Sequence, residues 1–367
     1  MLNINEEFSK LLKITIDSDF SDLHITANSF IHGRKNGQIV AVEDRFLNEA
    51  DVHQLFNGIT SEKMKLEFHK NHCLDSACSF QSTRFRLNFY KERGFIAIAV
   101  RRLNDQIQSF DDLGLPEKLL ELTELKDGLV LFSGPTGSGK STSLAALIDS
   151  INQSRACHIL TIEDPIEYVH LNRKSLVHQR ELGTDVLSFS ESLRDALRED
   201  PDVILVGEMR DLPTIRAAVT AAETGHLVFS TVHSGDTVGA LDRILAMYPA
   251  EEQESARRQL AMVLKSVVAQ SLLPLKNGTG RIPVLEILRS NAAVKNLIHT
   301  HQFTQIYSVL ETGSKSGMQS IDFELAKLIL EGKIDYEMGR IKCRNSRLLE
   351  DILGSKRNSR SFSSLLK

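Results

Sequence analysis

The run Gly134-Pro135-Thr136-Gly137-Ser138-Gly139-Lys140-Ser141-Thr142 fits the spacing G-x-x-x-x-G-K-[ST]. Each residue type in it has a task in holding a polyphosphate. Glycines let the backbone curl until successive N–H groups converge on phosphate oxygens. A helix beginning near Lys140 would turn its positive N-terminal dipole toward the same oxygens. The Lys140 ammonium reaches the β- and γ-phosphates, and the Ser141 hydroxyl ligates Mg2+. The pattern predicts a nucleoside triphosphate site over residues 134–142, with Mg2+ beside it.

Ligands of an open α/β sheet sit at the carboxyl ends of its strands, so acids and histidines there are the next candidates. After the apolar run 159–162 come Glu163-Asp164-Pro165, and after the run 203–206 come Gly207-Glu208. Adjacent carboxylates beside a strand end are costly unless a cation or hydrogen-bond donors meet them. Glu208 takes the position of an acid near Mg2+ and the attacking water, and its extra methylene over Asp suits a carboxylate that orients or deprotonates water. Ser141, Glu163 and Glu208 are thus the expected metal-side residues. Two histidines, His226 and His233, bracket the run 227–232 and are candidates for sensing a γ-phosphate. A His/Glu zinc site is the rival, but neither H-E-x-x-H nor C-x-x-C spacing exists.

The elements that must hold these groups fall into two blocks. Residues 1–102 read as a small α+β domain: an amphipathic helix carrying Phe8, Leu11, Leu12 and Ile16, short strands at 23–26, 29–33, 38–42, 82–90 and 94–101, and helices at 49–56 and 61–69. Lys35-Asn36-Gly37 is a hairpin signal. Residues 103–115 lose periodicity and read as a linker. From 116 to 338, apolar strands at 128–133, 157–162, 202–206 and 226–231 alternate with helical stretches at 141–152, 190–199 and 251–273, and the remainder to about Glu337 reads as helical. Alternation of this kind predicts a parallel sheet covered on both faces.

Composition bounds the rest. The 367 residues favour two domains, and 41% apolar with 25% charged are globular values. A net charge of −4 argues against a protein that coats nucleic acid. That charge is uneven: residues 339–367 carry +6 and the rest −10. The basic, Ser-rich end reads as disordered, with contact to an acidic partner or an anionic membrane surface as its candidate role. No apolar run approaches a membrane span, and the start lacks a signal core, so a cytoplasmic location is expected. Cys73, Cys78, Cys157 and Cys343 form no metal-ligand pattern and read as free thiols.

Taken together, GPTGSGKST, TIEDPIEYVH, ALREDPDVILVGEMRD and TGHLVFSTVHSGDT resemble the phosphate loop, Asp box, Walker B and His box of the secretion-ATPase superfamily. The closest resemblance is to its type IV pilus retraction branch, and SDLHIT and RFRLNFYKERG extend it from about Ser21 to Glu337. Gly317 to Asp322 and Ala293 to Thr300 point to the retraction branch separately, although the latter keeps only half of the branch's A-I-R-N-L-I-R-E. Residues 30–37 likewise keep only part of the family's early Pro-x-x-x-Arg-x-Asp-Gly pattern.

The resemblance implies a PAS-like α+β domain followed by a RecA-like P-loop ATPase domain, with ATP bound between the lobes of subunits in a homohexamer. It implies a catalytic role for Glu208, support of Mg2+ or water by Glu163, and His-box roles for His226 and His233. It also implies phosphate contacts from N-terminal arginines. Arg84, Arg86, Arg93, Arg101 and Arg102 are the pool, Arg84 and Arg101 foremost. The implied function is ATP-driven pilus retraction at the inner face of the inner membrane, acting on a membrane platform protein, with a related retraction ATPase as a further candidate partner. Two alternatives stand beside it: an assembly or secretion ATPase, disfavoured by the short N-terminal part and the missing cysteine tetrad, and a non-hydrolysing ring subunit, disfavoured by intact Lys140, Ser141, Glu163 and Glu208.

Overall fold

Asn5 stands where a helix must begin: its side chain accepts from the Phe8 amide at 2.9 Å, and Phe8, Leu11, Leu12 and Thr15 then recur on one buried face. This helix, Glu6–Asp17 (α1), begins the computed structural model, which describes residues 2–354 apart from positions 3, 36, 82, 104 and 105. Asn36 of the expected hairpin, Ser82 at an expected strand start, Asn104 and Asp105 of the linker, and the basic end 355–367 lie outside the described residues. Two units divide the chain. One comprises residues up to Ile107 with Asp164–His170 and Glu181–Asp185; the other is the remainder.

In the first unit α1 is followed by Asp22–Thr26 (β1), Ser29–Lys35 (β2), Gln38–Leu47 (β3), Glu49–Ile59 (α2), Glu62–Asn71 (α3), Cys73–Phe80 (β4), Thr83–Glu92 (β5) and Phe95–Arg102 (β6). The strands form one antiparallel sheet in the order β3-β2-β1-β6-β5-β4. β5 and β6 turn through Arg93-Gly94, both at positive φ, which matches the twist of a two-residue hairpin. The core joins the three helices to the sheet, with Phe56 tilted against Phe68 and edge-to-face with Phe89 at centroid distances of 4.8 and 5.5 Å. β4 escapes a sequence reading because Cys-Leu-Asp-Ser-Ala-Cys-Ser-Phe contains no β-branched residue. Burial pushes the Cys78 thiol up to about 11, so it stays protonated near neutral pH.

The second unit contains Phe110–Leu113 (α4), Gly128–Ser133 (β7), Lys140–Ser154 (α5), His158–Glu163 (β8), Leu176–Glu181 (β9), Phe189–Ala196 (α6), Val203–Val206 (β10), Leu212–Glu223 (α7), Leu227–Val232 (β11), Thr237–Ala246 (α8), Gln253–Val263 (α9), Leu264–Pro274 (β12), Arg281–Arg289 (β13), Ala292–His299 (α10), Ile306–Thr312 (α11), Ile321–Leu330 (α12) and Tyr336–Lys342 (α13). Its sheet runs β13-β12-β7-β11-β10-β8-β9; β12, β7, β11, β10 and β8 are mutually parallel, and β13 is antiparallel to β12. Every residue of β7, β10 and β11 is buried, as both faces of a covered parallel sheet require.

Three expectations are corrected here. The stretch 251–273 is not one helix: α9 ends at Val263 and β12 follows, buried almost throughout, because an apolar run enclosed on both faces carries no period that separates strand from helix. The stretch to Glu337 is not wholly helical: β13 lies within it at the sheet edge, where Pro283 is tolerated. The segment from Gly339 is not disordered over its first half. α13 runs to Lys342, the backbone is helical again over 346–354, and Leu349 and Leu353 join Leu325, Leu328 and Ile334 in a buried cluster. The spacing of Leu349 and Leu353 carried that signal beneath the basic residues. The expected linker also holds α4, capped reciprocally by Ser109 and Asp112.

Candidate active site

β7 delivers the phosphate loop and α5 receives it. Gly134, Gly137 and Gly139 all have positive φ, and Gly139 caps α5 without a side chain, which leaves the first-turn amides facing the loop. The Lys140 ammonium, largely buried, donates to the carbonyls of Gly134 at 2.7 Å and Pro135 at 3.0 Å, and so lies beneath the curl. Gln270 of β12 braces the loop from below. Its amide donates to the Ser138 carbonyl at 2.8 Å, and its carbonyl accepts from the Ser143 hydroxyl of α5 at 2.9 Å. A Cβ at Gly134 would come within 2.3 Å of the Gln270 backbone oxygen, and one at Gly139 within 2.8 Å of its side-chain amide nitrogen. The glycines are therefore required by the brace as well as by the backbone conformation. Sequence reasoning missed Gln270 because it read that stretch as helix.

The Ser138 hydroxyl oxygen is buried without a protein partner, and Gly134 and Gly139 leave no room for a side chain. Both observations fit residues 134–142 to a polyphosphate, with Ser141 placed at the first turn of α5 to reach a cation.

Three further groups stand at or just past the carboxyl ends of β11, β10 and β8, the strands that follow β7 in the sheet order. At the last position of β8, Glu163 accepts from the Thr161 hydroxyl at 2.7 Å and the Gln179 amide at 3.1 Å. After β10, the Gly207 amide donates to the Ile162 carbonyl at 2.8 Å, which keeps the chain alongside β8 as it leads into Glu208. The half-buried Glu208 carboxylate lies 2.6 Å from Arg210 Nε and 3.4 Å from His233 Nε2. After β11, the loop carrying His233 is fastened by Ser133, whose hydroxyl donates to the Ser234 carbonyl at 2.8 Å, and by Arg243, which donates to the His233 carbonyl at 3.0 Å. Arg210 was overlooked although it lies two residues beyond Glu208 in the same motif.

His226 does not join this group. It precedes β11, its carbonyl accepts from the Gly128 amide where β7 begins, and its Nδ1 faces the Ala221 carbonyl at 3.0 Å. The six-residue strand between it and His233 separates them by about 20 Å at roughly 3.3 Å per residue. Within its own subunit His226 closes the end of α7 at the amino edge of the sheet, at the opposite end of β11 from His233.

The N-terminal arginines all carry partners within the first unit. Arg84 ion-pairs with Glu181 and donates to the Ile166 carbonyl at 2.7 Å; its side chain is 17% exposed. Glu181 also accepts from the Ile166 amide at 3.1 Å. Within its own subunit Arg84 thus fastens the Asp-box loop. Arg86 pairs with Asp75, Arg102 with Asp19, and Arg93 forms the β5–β6 turn. Arg101 pairs with Asp22 at 2.7 Å while its side chain remains 68% exposed. Burial alone would raise the Asp22 carboxyl, but hydrogen bonds from Arg101 and Ser21 outweigh it and hold the group below the ordinary carboxylate value.

Residues 81–334 match the family described as Type II/IV secretion system protein. The chain is 41% identical over 341 residues to the type IV pilus retraction ATPase PilT of Pseudomonas aeruginosa, covering 92% of this chain and 98% of that protein. It is 36% identical over 362 residues to the type IV pilus ATPase PilU of the same organism, covering 98% and 95%. A crystal structure of the pilus retraction motor PilT with bound ADP superposes with a TM-score of 0.87 at 42% identity, covering 94% of this chain and 98% of that one. That likeness carries the mixed α/β architecture of an N-terminal domain followed by a RecA-like ATPase domain.

Proposed function

The chain belongs to the type II/IV secretion ATPase family, of the PilT type, and is an ATP hydrolase; we propose that it works as a homohexameric motor that retracts a type IV pilus. The observation that carries the chemistry is the alignment of the phosphate loop, His233, Glu208 and Glu163 at the carboxyl ends of β7, β11, β10 and β8, four consecutive strands of one sheet.

The loop amides and Lys140 hold the β- and γ-phosphates, and Gln270 keeps the loop in shape to do so. Ser141, Glu163 and Glu208 are the residues that would hold Mg2+, which would supply neutralisation of phosphate charge when bound. Glu208 orients and deprotonates the attacking water, while His233 and Arg210 fix the direction of its carboxylate. Arg101 is the arginine we assign to the transferring phosphoryl group. It is the more exposed of the two foremost candidates, and Asp22 would keep Arg34 at 3.8 Å if Arg101 left it. Repeated opening and closure around the nucleotide would drive an inner-membrane platform protein from its cytoplasmic side. No helix among the described residues is long and apolar enough to cross a membrane.

Purified protein is expected to release phosphate from ATP with Mg2+. Glu208→Gln should bind nucleotide normally and turn over roughly 10²–10⁴-fold more slowly, the range of a lost general base. A wild type as inert as the variant would instead identify a non-hydrolysing ring subunit.

A further inference from the structure

Arg344 lies beyond every motif of the nucleotide site, yet its side chain enters the same unit as a fork between two carboxylates. It pairs with Glu286 at 2.5 Å and approaches Asp236 to 3.7 Å, while its guanidinium lies over the Tyr307 ring at 4.0 Å. Its backbone is pinned as well: the amides of Arg344 and Asn345 donate to one oxygen of the buried Asp322 at 2.8 and 3.3 Å. The helix over 346–354 anchors this turn through Leu349 and Leu353.

Both carboxylates serve the loop that carries His233. Glu286, 1% exposed on β13, accepts from the Thr237 hydroxyl at 2.7 Å and the Thr237 amide at 3.2 Å. Asp236 caps α8 through the Gly239 amide at 2.6 Å and accepts from the Tyr307 hydroxyl at 2.9 Å. Burial and the bond to Asp236 push the Tyr307 phenol up to about 12, so it remains a donor throughout the neutral range. The loop is therefore held at its near end by Ser133 and Arg243, and at its far end by a charge cluster that Arg344 completes. Glu286 also stands opposite Ala269, the residue before the brace Gln270.

We propose that Arg344 is a positioning residue for hydrolysis, through which the folded C-terminal segment sets the loop that holds His233 against Glu208. This rests on ATP hydrolysis at the phosphate loop. The planar fork is the essential property: lysine supplies the charge that Glu286 needs but can neither span to Asp236 nor stack on Tyr307 in the same way.

The test compares full-length wild type, Arg344→Lys, Arg344→Met and Arg344→Met with Glu286→Gln, each well below its melting temperature. Steady-state turnover is read beside the affinity for a fluorescent ATP analogue. Arg344→Lys should melt near the wild-type temperature and bind the analogue within about threefold, yet lose about tenfold or more in kcat, as misplacement of a catalytic group does. Arg344→Met should lose thermal stability as well, and adding Glu286→Gln should restore the melting temperature without restoring kcat. Wild-type kcat in Arg344→Lys, or recovery of kcat in the double variant, would reduce Arg344 to a counter-charge and overturn the proposal. An inert wild type would overturn the hydrolytic reading beneath it.

Discussion

Gln270 holds the Ser138 carbonyl and the Ser143 hydroxyl at once, so it couples the phosphate loop to the helix that follows it. Both bonds are buried, and each is worth about 1 kcal/mol net. Gln270→Ala should therefore weaken ATP-analogue binding by about 1–2 kcal/mol, roughly 5–30-fold, in a titration of the folded protein. Unchanged affinity would show that the loop keeps its shape unaided. That Lys140, Ser141, Glu163, Glu208 and His233 stand at the carboxyl end of the sheet was legible in sequence, because motif spacing after apolar runs fixes their positions. Gln270 and Arg210 were not, because a glutamine and an arginine carry no signature until a neighbouring strand or carboxylate is in place. His226 precedes β11 and so stands at that strand's amino end, whereas ligands of such a sheet gather at the carboxyl ends.

Individual elements were readable where the pattern was local. The hairpin of β2 and β3, the capped helices α2 and α3, and the wholly apolar β7, β10 and β11 all announce themselves through period and caps. β12 and β13 did not, since their form depends on finding β7 as a neighbour. At the start of β1 the structure adds a reason for the SDLHIT run: Asp22 there gathers both Arg101 and Arg34. Its carboxyl is held below the ordinary value, so the stabilisation is complete above the unfolded pKa near about 3.9 and fades as pH falls through the lower folded value. Asp22→Asn should accordingly destabilise the protein at neutral pH, and its difference from wild type in urea melts should shrink below about pH 4. An equal difference at pH 3 and pH 7 would refute the linkage.

For the molecule as a whole, the +6 of residues 339–367 divides into a folded part and an end outside the described residues. Arg344, Leu349 and Leu353 belong to the folded part, so a cut after Gly339 would remove structure as well as charge. A cut after Gly354 separates the two: turnover should match wild type, and a change in recovery on anionic vesicles would then report the basic end alone. Retraction is the direction of work that similarity to the retraction motor supports, and cells can test it directly. In cells carrying Glu208→Gln in place of the wild-type gene, labelled surface pili should be abundant and should fail to shorten under time-lapse fluorescence microscopy. Cells without surface pili would contradict retraction and assign the motor to assembly.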